Sequence, residues 1–235
     1  MSHPELCMRK IHYNPDTAVD SQMDIAITKN CYQYLLVIIL DTRKLAVDRF
    51  RHYIIRNRHL LTEKSGSFVG VACADFEATD IRYKWSAEEV PFLFVFDDPQ
   101  QITRFLKDLR IKDVFRIVLD AIAIPLTNVL RSPETYPFME LTFHDVKYVH
   151  KFRDYVFQLP DLATKNKGTL IAGTKSLRIY SGERLPNYIV ATQWTHKEYF
   201  AQYLRDVESL LNGEQYACTV RVLFTVTPHY APPGV

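Results

Sequence analysis

Phe152-Arg153-Asp154-Tyr155, followed by Lys167-Gly168-Thr169, repeats what the chain has already written as Phe50-Arg51-His52-Tyr53 and then Ser65-Gly66-Ser67. Phe50 and Phe152 are 102 residues apart, and so are Gly66 and Gly168. Phe105-Leu106-Lys107-Asp108-Leu109 is echoed 98 residues later by Tyr203-Leu204-Arg205-Asp206-Val207. A proline-led apolar run precedes each of these, Pro91 to Phe96 and Pro186 to Val190. A period of about a hundred residues is too long for a solenoid and matches one small domain. The chain reads as a duplicated domain; the rival is two unrelated domains with chance matches.

The bulk numbers agree with one full core or two small ones in 235 residues. Hydrophobic residues make up 47% and charged ones 24%, a globular balance that excludes a disordered chain. The net charge of +2, with Lys and Arg interleaved among acids, predicts no nucleic-acid partner. The 4 cysteines, Cys7, Cys31, Cys73 and Cys218, are far apart and form no CxxC pair. They therefore imply neither a zinc site nor a disulfide framework, and reduced thiols fit a cytoplasmic protein. Residues 1–20 lack an apolar core, and the run Tyr34 to Leu40 is far short of a membrane helix, so no membrane association is expected.

The spacing predicts an arm over residues 1–30, a first repeat over 31–130, a linker over 131–137, a second repeat over 138–227 and a tail over 228–235. In the first repeat, Cys31 to Leu40 is continuous and β-branched, the pattern of a strand buried on both faces. A helix follows, with Leu45, Phe50, Tyr53, Ile54, Leu60 and Leu61 as its apolar stripe and Gly66 as its stop. Strands are expected at Phe68 to Ala74, Pro91 to Phe96 and Val114 to Ile124. Asp98 and Pro99 open the helix between the last two. The order β-α-β-β-α-β makes a four-stranded antiparallel sheet with both helices on one face. The second repeat gives the same order: a strand at Phe138 to His144 and a helix from Tyr148 to Lys165 interrupted near Pro160. A strand or hairpin from Thr169, a strand at Tyr188 to Gln193, a helix at Lys197 to Leu211 and a strand at Ala217 to Val226 complete it. The expected class is α+β: two tandem ferredoxin-like domains burying their bare sheet faces against each other as a pseudo-dimeric barrel.

That assembly resembles the dimeric α+β barrel superfamily. The first repeat resembles its EthD-like members through Phe50-Arg51-His52-Tyr53 and Arg58-His59-Leu60-Leu61, with Ile54 where their pattern has tryptophan. The second is similar to the antibiotic-biosynthesis-monooxygenase-like domains through Gly168, Ser181-Gly182-Glu183 and Tyr188 to Trp194. The resemblance implies a choice among cofactor-free oxygenases, polyketide cyclases, isomerases, haem-using enzymes and inactive members; fold alone does not select one.

Candidate site residues follow from strand alternation. Met139, Leu141 and Phe143 share one face of their strand and are expected to meet the helices, which sends Glu140, Thr142 and His144 toward the space between the sheets. Arg221 opposes the apolar face of the last strand, and Gln193 or Trp194 lines the space according to which face of 188–194 turns inward. Arg116 is the main polar exception in the first repeat. His144 suits general acid/base work because imidazole titrates near neutrality, with Glu140 beside it. Arg221 suits an enolate or carboxylate through paired hydrogen bonds. The plain alternative is a structural ion pair of Glu140 with Arg221. His59 is a second candidate base, carried by the EthD-like step.

No HExxH, P-loop, GxGxxG or paired-cysteine motif is present, so no cofactor and no metal are expected. Two function classes result. One is a cofactor-independent enzyme (cyclase, isomerase, decarboxylase or oxygenase) acting on an apolar aromatic or polyketide-like small molecule. The other is a non-catalytic binding or interaction protein whose interior is filled with side chains, with a haem-binding member as a further alternative. The expected state is a monomer, acting as a pseudo-dimer, or a homodimer.

Overall fold

The β-branched run that opens the first repeat forms β1 (Tyr34–Asp41), and every residue of it after Tyr34 is buried. The computed structural model describes residues 33–77, 85–109, 118–211 and 218–228. The arm over 1–30, the tail beyond Pro228 and Arg116 lie outside them. After β1 come α1 (Val47–Arg56), α2 (Arg58–Thr62), β2 (Gly66–Ala74), β3 (Glu89–Phe96), α3 (Pro99–Asp108) and β4 (Val118–Pro125). Then follow β5 (Phe138–His144), α4 (Val149–Val156), α5 (Leu159–Lys165), β6 (Thr169–Thr174), β7 (Arg178–Ser181), β8 (Tyr188–Trp194), α6 (Lys197–Leu211) and β9 (Cys218–Pro228).

Local chemistry accounts for most boundaries. Asp98 caps α3 by accepting from the Gln100 amide at 2.8 Å, and Pro99 occupies the first turn, where a missing N–H costs nothing. The single helix expected after β1 is two, divided at Asn57, whose side-chain amide donates to the Tyr53 carbonyl at 2.8 Å. Gly66 does not stop that helix: the left-handed residue is Ser65 (φ 50), and Gly66 begins β2. Glycine is required at 66 because a β-carbon there would overlap the ring of Phe96.

The nine strands among the described residues form one antiparallel sheet in the order β6-β8-β5-β9-β2-β3-β1-β4-β7. The order β2-β3-β1-β4 of the first half recurs as β6-β8-β5-β9 in the second. Two separate sheets were expected; instead β2 and β9 pair, with Ala72 opposite Val226, so each satisfies the other's edge. The sheet curls until its ends approach. The Thr127 amide donates to the Ile171 carbonyl at 2.8 Å, and the Asn128 side chain to the Leu170 carbonyl at 2.7 Å. β7, expected to pair with β6 as a hairpin if at all, crosses instead to the outer edge of β4.

Among the described residues three apolar clusters result. Inside the curl lie Leu35, Val37, Leu93, Ile122, Leu141, Phe143, Ala191, Val222 and Phe224, drawn from both halves. Outside it, α1 to α3 cover Leu36, Ile38, Phe92 and Phe94, while α4 to α6 cover Tyr188, Val190, Trp194 and Leu223. β1, β3, β5 and β8 are thus buried on both faces, the condition that produces continuous rather than alternating apolar runs.

The echoes in the sequence have counterparts in geometry. Ser65 and Lys167 (φ 61) are the non-glycine residues with positive φ among the described residues, each followed by a glycine lying against an aromatic ring, Phe96 or Trp194. Phe50 meets Phe92 edge to face at 4.7 Å, and Phe152 meets Tyr188 edge to face at 5.0 Å. Lys64 reaches Asp108 at 2.7 Å, and Asn166 reaches Asp206 at 2.9 Å.

Candidate functional site: a buried polar cluster beneath α4 and α6

The strand β5 carries Glu140, Thr142 and His144 on one face, and all three are buried. That face meets the helices, not the sheet interior. Met139, Leu141 and Phe143 point inside the curl, reversing the expected assignment. The reason is that both faces of β5 are buried, so the rule sending the apolar face to the helices had nothing to act on. The polar face instead finds polar partners on the neighbouring strands and helices.

Glu140 is the centre. Its Oε2 accepts from the Thr192 hydroxyl at 2.6 Å, and its Oε1 accepts from the Thr142 hydroxyl at 3.1 Å. Arg221, opposite Thr142 on β9, brings its Nε to 3.6 Å from Oε1. Arg221 also donates from Nη2 to the Tyr155 hydroxyl on α4 at 3.3 Å. The Trp194 indole N–H donates to the Thr192 hydroxyl at 2.8 Å, which leaves the threonine proton for Glu140. His144 lies among aromatic rings, with centroids 4.9 Å from Phe152, 6.4 Å from Tyr155 and 6.5 Å from Tyr188.

Burial dominates the electrostatics. Loss of water raises the Glu140 carboxyl above its ordinary value, against the opposing pull of Arg221, Thr192 and Thr142. Burial likewise pushes the Tyr203 phenol well above its usual range, with the Glu140 charge adding to the effect. A carboxyl whose hold on a proton burial strengthens, a guanidinium able to hold an anion and an imidazole on the same strand face are parts suited to moving a proton.

The other expected residues fall elsewhere. Gln193 faces away from the cluster and clamps the linker: its Oε1 accepts from the Arg131 amide at 2.8 Å and its Nε2 donates to the Arg131 carbonyl at 3.0 Å. Trp194 belongs to the cluster, through Thr192. His59 is exposed on α2, in the other half of the chain. Thr192, Tyr155 and Tyr203 were not anticipated as site residues. Tyr155 was visible only as a mark of the repeat, one turn after Phe152, which placed it on the buried stripe of its helix.

The haem alternative can be tested against the same geometry. An axial His144 needs an open slot between helix and sheet as wide as a porphyrin. That layer holds Phe152 against Tyr188 at 5.0 Å and Trp194 against Tyr203 at 4.8 Å. The residues packed around His144 do not fit the group there.

No protein-family model and no curated protein matches the chain. Solved structures do resemble it. An anthrone oxidase-like protein aligns with 8% identity over 87% of this chain and 94% of its own, at a TM-score of 0.50. Two chlorite dismutase variants from Candidatus Nitrospira defluvii align with 9% and 10% identity, over 86% and 90% of this chain and 94% and 95% of theirs, each at a TM-score of 0.53. The likeness is one of fold. The chain has a mixed α+β fold with a curled antiparallel sheet, and these neighbours are ferredoxin-like folds of the dimeric α+β barrel type.

Proposed function

We propose that the protein is an enzyme of the oxygenase-like kind, acting on an apolar, aromatic small molecule by general acid/base chemistry. Its working groups are Glu140, His144 and Arg221, placed between the sheet and α4 and α6 of the second half. The observation that carries this reading is a register-matched contrast. Glu140 pairs with Thr192 and Leu223, whereas Leu36 at the same place in the first half pairs with Phe94 and Ala123. Thr142, His144 and Arg221 likewise correspond to Ile38, Leu40 and Ala121. The matched strand positions of the first half thus carry hydrocarbon, which argues that the fold does not require polar groups there. Buried charges cost free energy, and where the fold does not need them they point to chemistry.

In this reading His144 takes a proton from an acidic C–H or O–H of the substrate. Arg221 holds the resulting enolate, Glu140 orients Arg221, and the protonated His144 returns its proton to the product. Cyclisation, isomerisation, decarboxylation and attack on oxygen all begin from that anion, and none requires a cofactor. Phe152 and Tyr155 roof the cluster, so entry requires α4 to move. We also infer that the chain is an internal duplication, with ferredoxin-like repeats over 31–130 and 138–227 joined by a linker over 131–137 and working as a pseudo-dimer.

A second reading, a non-catalytic binding or interaction protein, is favoured by the same closure: side chains fill both the sheet interior and the helix layer. Oxygen uptake and product mass with a panel of polycyclic phenols separate the two. The enzyme reading expects turnover that falls about 100- to 10,000-fold in His144→Ala and in Glu140→Gln. Absence of turnover, or turnover that both variants keep, favours the second.

A further inference from the structure

Tyr53 and Tyr155 occupy the same place in the two halves. Their helices begin at Val47 and Val149, 102 residues apart, which is the spacing of the echo itself. Each tyrosine follows the buried phenylalanine of its helix, Phe50 or Phe152, by one turn.

Their hydroxyls do different things. Tyr53 donates to the Leu109 carbonyl at 2.6 Å, where α3 ends, and so ties two helices of its half together. The echo of Leu109 is Val207, which lies inside α6 and not at its end. A carbonyl inside a helix accepts from the helix's own N–H groups. The partner that Tyr53 uses is therefore not offered at the matching place in the second half. The Tyr155 hydroxyl meets Arg221 instead, which donates to it from Nη2 at 3.3 Å.

Arg221 is thus gripped from two elements. Glu140 on β5 lies 3.6 Å from its Nε, and Tyr155 on α4 accepts from Nη2. The guanidinium is planar, so partners on two of its edges fix both its plane and the directions of its N–H groups. One of those partners belongs to the strand floor. The other belongs to the helix that must move to admit a substrate.

We propose that Tyr155 is a positioning residue for Arg221. It turns the guanidinium toward the anion formed in the site, and because it rides on α4 it does so only when that helix is closed over the cluster. The inference rests on the reading of Arg221 as the group that holds the anion.

Binding of 4-nitrophenol to the full-length chain tests it, since the phenolate is a coloured mimic of an aromatic enolate and forms near neutral pH. Equilibrium dialysis on either side of that ionisation gives the ratio of phenolate to phenol affinity. Wild type should prefer the phenolate, and Arg221→Met should abolish the preference. Tyr155→Phe should lower the preference about 3- to 10-fold, the worth of one hydrogen bond, with the neutral phenol bound within about twofold of wild type. Tyr155→Met carries the same expectation and replaces it if Tyr155→Phe does not fold. Tyr53→Phe, the matched change in the first half, should lower the unfolding temperature and leave the ratio alone. A variant of Tyr155 that is folded by circular dichroism and keeps the wild-type ratio, or weakens both forms alike, overturns the inference and leaves the reading of Arg221 standing. If wild type shows no preference for the phenolate, or Arg221→Met retains one, that reading falls and the inference falls with it.

Discussion

Thr192 donates its hydroxyl proton to Glu140 across adjacent strands at 2.6 Å, while its oxygen accepts from the Trp194 indole at 2.8 Å. The hydroxyl is therefore oriented by one neighbour to serve the other. Thr192→Val keeps the shape and removes both bonds, leaving a buried carboxyl and a buried indole N–H each short of a partner. Urea unfolding should show a loss of about 2–4 kcal/mol, from two unsatisfied groups at about 1–2 each.

The raised Glu140 carboxyl makes stability depend on pH with a definite sign. Because the folded protein holds this proton more tightly than the unfolded chain, its contribution is fully present below the ordinary glutamate value. It is lost as pH rises through the folded value. Glu140→Gln should remove that slope. Measured from pH 4 upward against the variant, wild type should become relatively less stable; parallel curves would mean that the carboxyl is not raised.

Gly168 and Gly66 make matching demands. A β-carbon at either overlaps the aromatic ring that ends the third strand of its half, Trp194 or Phe96. Gly168→Ala and Gly66→Ala should each cost about 1–3 kcal/mol, the usual range for overpacking a filled core. Equal losses in thermal unfolding would support equivalence of the two positions.

Gln193 was expected to bind substrate and instead grips the linker at Arg131. Gln193→Leu should therefore lower stability by about 1–3 kcal/mol through the freed linker groups, and leave the turnover number unchanged. A large fall in turnover with unaltered stability would restore it to the site.

Much of the fold was legible because local chemistry marks it. Asp98 and Pro99 announce α3, the break near Pro160 separates α4 from α5, and the Phe50 and Phe152 echoes point to rings in the same kind of contact. Legibility failed where a decision depended on distant chain. Alternation in β5 separated Glu140, Thr142 and His144 correctly from Met139, Leu141 and Phe143, but not which set faced inward. A sheet buried on both sides gives neither face the water that would identify it. The pairing of β2 with β9, and the crossing of β7 to β4, are contacts between halves that no local pattern records. Tyr155 and Thr192 joined the site through partners on other elements, Arg221 on β9 and Glu140 on β5, so nothing in their own neighbourhoods distinguished them.

The central claim is that the buried polar groups serve chemistry and not folding, and the stability of an apolar replacement tests it most directly. Glu140→Met, Arg221→Met and Tyr155→Phe, made together, remove the ion pair and its phenol partner at nearly constant volume. If the claim holds, equilibrium unfolding finds the triple variant unchanged or up to about 4 kcal/mol more stable, as for other buried pairs exchanged for hydrocarbon. A loss of several kcal/mol would contradict the claim and make the cluster part of what holds the second half together.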